Sequence, residues 1–240
     1  MYPELVIDLK KIKNNLDKIT HMVKGAGCSL MIVTKGYCAD IEIYKILENS
    51  DIDYLADSRI ENLKKYEGTK KERVLLRLPM TSQADEVVKY ADISLNSEIT
   101  TIRSLNEAAA EQNKVHKILL MIDLGDLREG IFFKNEEEIY QTAEEILKLQ
   151  NIELFGLGVN LTCYGAVIPK RDNLSVLVDI ARKIENKYNI KLEMISGGNS
   201  SSVYLIEKNE LPVGINNLRV GEAFLLGDET AYSQMLEGFY

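Results

Sequence analysis

Short, nearly uninterrupted apolar runs recur along this chain, each followed by a stretch whose apolar residues have helical spacing. The runs fall at residues 30–33, 52–56, 73–78, 93–95, 117–124, 154–161, 192–195 and 217–220. Runs of this length with little polar alternation match strands buried on both faces, as in a parallel sheet covered by helices. Helical stretches supply the covers. Ile12, Leu16, Ile19 and Val23 recur at helical spacing before Gly25 and Gly27 stop the first helix, which follows a short apolar element at residues 5–8. Further helices are predicted over about 41–47, 60–66, 83–90, 98–112, 136–149 and 173–188, with a short one from about Ser202. Eight such units in 240 residues, close to the ~250 residues usual for the fold, predict a (β/α)8 TIM barrel of the α/β class. A doubly wound open sheet is the alternative, because alternation alone does not establish closure. No linker, low-complexity run or short repeat divides the chain, so residues 1–240 are read as one domain.

Composition narrows the partners. The net charge is −8 with acids and bases intermixed, which argues against a nucleic acid or an anionic membrane as the main partner. Cys28, Cys38 and Cys163 have no paired spacing and read as reduced thiols. His21 and His116 are the only histidines, and neither has a metal-ligand neighbour, so no metal site is expected. No secretory signal or membrane-length apolar run is present, and the chain reads as cytoplasmic.

In a barrel of parallel strands, chemistry gathers at the C-terminal strand ends. The first strand runs Leu30-Met31-Ile32-Val33-Thr34 and then places Lys35 before Gly36. A partly desolvated lysine there could serve as nucleophile or base, although a lysine after a strand is ordinarily a solvated loop residue. Other strand ends carry Arg59, Asn96, Arg128, Asn160, the run 196–202 and Arg219. The Ser196-Gly197-Gly198-Asn199-Ser200-Ser201-Ser202 turn enters a helix and offers amides and hydroxyls to a phosphate, and Gly221-Glu222 offers a second set of amides. A Gly/Ser turn alone is ordinarily just a turn. With a lysine on strand one, however, the set suits a phosphorylated aldehyde such as pyridoxal 5′-phosphate.

These residues resemble a known family. Val33-Thr34-Lys35-Gly36, Asp123-Leu124-Gly125-Asp126-Leu127-Arg128-Glu129-Gly130, the 196–202 turn and Leu218-Arg219-Val220-Gly221-Glu222 are similar to the N-terminal barrel of fold-type III pyridoxal-phosphate enzymes of the alanine racemase class, most of all its ornithine racemase branch. The resemblance implies an amino-acid racemase acting on ornithine, with alanine or lysine as alternatives. It implies that Lys35 is the Schiff-base lysine and one of two catalytic bases. Arg219 would face the pyridine nitrogen, and Arg128 the phenolic oxygen and the substrate carboxylate. Ser200 and the backbone of Gly221 and Glu222 would hold phosphate, with Asn199 supporting the turn. A single-barrel pyridoxal-phosphate carrier without racemase activity is the competing reading.

Several positions depart from the family pattern. Asn160 replaces a histidine that stacks on the cofactor, and Met121 replaces a modified lysine that positions the arginine. Ala39 stands where a tyrosine is common, with Tyr37 a possible substitute. Family members continue into a β-rich domain that supplies a tyrosine base across a homodimer interface. The resemblance therefore implies that the 240-residue chain lacks that domain, that it is impaired in racemisation, and that the full-length protein is a homodimer.

Overall fold

A computed structural model of the chain describes residues 6–162 and 167–240. Leu5 and Cys163 lie outside the described residues. Eight parallel strands follow in order: Ser29–Val33, Tyr54–Asp57, Glu72–Leu75, Ile93–Asn96, His116–Asp123, Ile152–Gly158, Met194–Ser196 and Asn217–Val220. Each pairs in parallel with the next, and strand one pairs with strand eight through Ser29↔Asn217 to Ile32↔Val220. The sheet is therefore a closed barrel, and the open doubly wound alternative is excluded. The expected strands are all present, with ends shifted by up to three residues: strand three stops at Leu75 and strand six at Gly158.

The alternation of side chains explains why the strand sequences are apolar throughout. Met31, Val33, Ala56, Val74, Ile93, Leu95, Leu119, Met121 and Met194 fill the barrel interior. The alternate residues, among them Leu30, Ile32, Leu55, Ile118, Leu120, Leu218 and Val220, pack outward against the helices. On the helix side, α1 (Leu9–Gly25) buries Ile12, Leu16, Ile19 and Val23, and Asp8 caps it by accepting from the Lys10 and Lys11 amides at 2.9 and 3.3 Å. A longer helix between strands six and seven, Arg171–Tyr188, buries Leu174, Leu177, Val178, Ala181 and Ile184.

Two features were not legible from the apolar pattern. The pairing of strands five and six slips by one residue between Ile118 and Leu119, and Gly156 follows the slip. A Cβ on Gly156 would lie 1.8 Å from the Met194 carbonyl oxygen, so glycine is what lets strands six and seven meet. The chain after strand five also doubles back. Ile131–Phe132 forms a two-residue strand beside Ile122 and Asp123. Gly130, at φ +115°, allows that return, since a Cβ there would sit 2.6 Å from the Asp123 amide nitrogen.

Among the described residues no helix is long and apolar enough to cross a membrane. None of their His, Cys, Asp and Glu residues form a group of three or more able to hold a metal. His116 is buried on strand five, with Nε2 2.8 Å from the Ser94 hydroxyl, which also accepts from the Asn96 amide at 2.9 Å. The Ser94 hydrogen is then free to donate to Nε2, which favours a neutral ring.

Two outcomes follow for stability. Gly156→Ala should cost about 3 kcal/mol or more, because backbone rather than a flexible side chain blocks the new methyl. Urea unfolding measures it, and a loss below about 1 kcal/mol would contradict the close approach. Burial pushes the His116 imidazole down from 6.5 to about 4. The unfolded chain therefore takes up a proton that the folded chain refuses, so this contribution is complete above about pH 6.5 and is lost as pH falls toward 4, on the order of 3 kcal/mol in all. The urea midpoint should fall more between about pH 7.5 and about pH 5 in the wild type than in His116→Gln; equal falls would contradict the assignment.

Candidate active site

The end of strand one is clamped before Lys35 emerges. The Thr34 amide donates to the Ala56 carbonyl at 2.8 Å, and its hydroxyl to the Asp57 carboxylate at 2.6 Å. Asp57 is fully buried and also accepts from the Arg59 amide at 2.9 Å and the Asn62 side chain at 3.0 Å. One carboxylate thus ties together the ends of two strands and the start of the following helix, Ile60–Lys64. The chain then leaves the ladder in a single 3-10 turn, Lys35–Tyr37. Met31 and Val33 face the interior, so the two-residue period carries Lys35 to the barrel mouth. Lys35 is exposed there, one step beyond the last packed layer.

A cavity of about 760 Å³ opens at this mouth. Lys35, Arg128, Asn160, Asn199, Ser200, Arg219, Gly221 and Glu222 all line it. Arg59 does too, together with Arg77, which the sequence reading passed over. The lining holds Lys35 and four arginines against Glu129 and Glu222 as the acids, so the cavity favours an anion although the whole chain is acidic. Two expected contributors are elsewhere. Asn96 turns outward and donates to the Ser94 carbonyl at 3.1 Å, because it shares its parity with Ser94 rather than with the interior residues Ile93 and Leu95. Tyr37 is buried with its ring edge-on to Phe224, 6.2 Å away, so it does not replace the family's tyrosine in the cavity.

The turn after strand seven builds a cradle. Asn199 accepts from the Ser201 amide at 2.8 Å and donates to the Leu161 carbonyl at 3.0 Å, fixing the turn. Gly198 adopts φ +109°, and a Cβ there would lie 2.8 Å from the Ser202 hydroxyl. The amides of Gly221 and Ala223 donate to the Ser200 hydroxyl oxygen at 3.3 and 3.2 Å, which leaves the hydroxyl hydrogen to donate onward. Ala223 was not foreseen; its amide follows from the helix Glu222–Leu226 that begins at this point. A Cβ on Gly221 would come within 3.1 Å of the Val33 side chain, so strand eight ends close against strand one. Partial burial and the Asp228 carboxylate push the Glu222 carboxyl above its ordinary value, with Lys35 opposing the shift.

Arg219 lies inside the barrel mouth, 2% exposed. Its guanidinium donates to the Ser196 hydroxyl at 2.6 Å, the Val159 carbonyl at 2.6 Å and the Asn160 side-chain oxygen at 2.7 Å. Ser196 in turn donates to Asn217 at 2.6 Å. Gly158 leaves room for this group and for Met121, whose sulfur would be 2.8 Å from a Cβ at that position. On the other side, the Asn160 amide donates to the Glu129 carboxylate, whose second oxygen pairs with Arg128 Nε at 2.8 Å. Asn160 therefore connects the two arginines. Glu129 lay within a quoted motif without an assigned part.

The profile of the alanine racemase N-terminal domain matches residues 7–228. The chain is 53% identical over 238 residues to an ornithine racemase of Acetoanaerobium sticklandii, covering 99% of this chain and 67% of the relative. It is 36% identical over 239 residues to a lysine racemase of Thermotoga maritima, covering 99% and 66%. The chain thus spans about two thirds of the length of these relatives. Solved structures of like fold include a Clostridium difficile alanine racemase in complex with cycloserine, with TM-score 0.75, 19% identity and coverage of 92% and 60%. A D-threonine aldolase from Filomicrobium marinum gives TM-score 0.79, 14% identity and coverage of 99% and 66%. On the profile match and these identities, the chain belongs to the alanine racemase N-terminal domain family.

Proposed function

We propose that residues 1–240 form the cofactor-bearing barrel of a pyridoxal 5′-phosphate-dependent amino-acid racemase, with ornithine as its substrate. One observation carries the reading: a single cavity is lined by the Lys35 amine, the Ser200 and Gly221 cradle, and the Arg128 and Arg219 guanidinium groups. The donor set suits a phosphorylated aldehyde. An amine lines the cavity for covalent attachment, and the Ser200 hydroxyl, whose oxygen accepts from the Gly221 and Ala223 amides, keeps its hydrogen to donate to a phosphate. Identity of 53% to an ornithine racemase over nearly the whole chain supports the choice of substrate.

When bound, pyridoxal 5′-phosphate supplies an aldehyde for attachment and a conjugated ring that accepts charge from the substrate α-carbon. The chain's own residues do the rest. Ser200 and the backbone of Gly221 and Glu222 would hold the phosphate, and Asn199 keeps the Ser200 turn in place. Lys35 Nζ would hold the group and would take or return the α-proton on one face. Arg219 would serve the ring nitrogen as a donor that keeps its own proton, since a guanidinium pKa exceeds about 12. Such a donor would draw less charge from the α-carbon than a carboxylic acid would, which would favour proton return over side reactions. Arg128 orients the phenolic oxygen and the substrate carboxylate.

Racemisation needs a second base on the opposite face, and on this reading it comes from the part of the relatives that the chain does not span. A homodimer and a cytoplasmic site of action belong to the same reading. A carrier that only stores the cofactor would use the same cavity, but alignment to two racemases along 99% of the chain favours catalysis.

The test is interconversion of L- and D-ornithine, beside lysine and alanine, by the chain joined to the remaining third of the ornithine racemase. Ornithine should equilibrate fastest, and Lys35→Ala should lower the rate by about 10³-fold or more. Cofactor uptake without interconversion of any amino acid would favour the carrier and overturn the racemase.

A further inference from the structure

The geometry points to Glu129 as the positioning residue that orients both cofactor-facing arginines, Arg128 directly and Arg219 through Asn160. The inference rests on the cofactor reading above and extends it to a residue with no assigned part. Glu129 is an acid in a cavity whose other charged groups are mostly cationic. An acid at that place weakens the attraction for a phosphorylated ligand, so its presence calls for a role other than binding the anion. Its contacts supply one. The carboxylate uses one oxygen on Arg128 Nε at 2.8 Å and the other on the Asn160 amide. The amide is thereby turned so that its oxygen receives Arg219 at 2.7 Å. Only one orientation of Asn160 satisfies both neighbours, because its nitrogen donates and its oxygen accepts.

The side chain of Glu129 is 10% exposed, whereas that of Arg128 is 39% exposed. The acid is thus the fixed member of the pair and the arginine the member presented to the cavity. Its placement follows from the chain's return at Gly130, which folds the Arg128–Glu129 segment back over strand five. Groups that orient the ligands of a metal commonly change affinity by about 10- to 100-fold when removed, and a loss of the same order is expected for a residue that orients two arginines.

The experiment separates positioning from simple charge, because the two predict opposite signs. Affinity for pyridoxal 5′-phosphate and for inorganic phosphate would be titrated with the wild type, Glu129→Ala and Glu129→Gln. Simple charge predicts that loss of the acid tightens both ligands. Positioning predicts that Glu129→Ala weakens pyridoxal 5′-phosphate by about 10-fold or more while inorganic phosphate binds as well as before or better. Glu129→Gln, which keeps an acceptor, should lose less. Tighter binding of both ligands, unchanged binding of pyridoxal 5′-phosphate, or parallel loss of both would overturn the proposal.

A second readout needs no cofactor. The arginine Nε–H signals of Arg128 and Arg219 in ¹⁵N spectra of the ligand-free protein should both move in Glu129→Ala and in Glu129→Gln. A silent Arg219 would overturn the relay through Asn160. Wild-type protein that takes up no pyridoxal 5′-phosphate would instead remove the cofactor reading, and the spectra would still decide whether Glu129 orients both arginines.

Discussion

A guanidinium buried at the mouth of a barrel is the constraint on which the rest of this site depends. Removing such a charge from water costs several kcal/mol unless its donors are met. Arg219 meets them with a serine hydroxyl, a backbone carbonyl and an asparagine oxygen, contributed by strand seven and the end of strand six. Each partner then has a requirement of its own. Ser196 must reach Asn217, strand six must carry glycine at 158 to leave space, and Asn160 must point its oxygen inward. The chemistry of the mouth and the packing of the strands beneath it are for this reason one problem.

Charge organises the cavity in a second respect. The chain carries a net charge of −8, yet the cavity lining is cationic. The acids that remain inside are engaged or shifted: Glu129 pairs with Arg128, and Glu222 is pushed toward its neutral form by burial and by Asp228. The cradle on the strand seven side and the lysine on strand one border one cavity together with the arginines, which is the observation behind the proposed cofactor. These groups come together only in the closed barrel, since they are spread along the sequence from Lys35 to Glu222.

The barrel was legible because its strands are apolar on both faces, a pattern that parallel sheets covered by helices impose. Lys35 was legible because it follows Met31 and Val33 at the two-residue period. Asn199, Ser200 and Gly221 were legible as cavity residues because they follow strands seven and eight, whose ends a closed barrel brings to one mouth. Asn96 was misread because Ile93, Ser94, Leu95 and Asn96 give no sign from composition of which pair faces the interior. Glu129 was hidden for a different reason: its direction depends on the chain doubling back at Gly130 to pair with the end of strand five, which the apolar pattern does not record. Asn160 was placed in the cavity correctly, but its part as the link between two arginines needed the side-chain geometry.

The claim that most of this account rests on is that Lys35 is the amine that carries the cofactor. Reduction with borohydride after incubation with pyridoxal 5′-phosphate, followed by peptide mapping, tests it directly. The account predicts a single stable pyridoxyl label on Lys35, lost in Lys35→Ala with the fold intact. A label on another lysine at equal yield, or none at all, would contradict it.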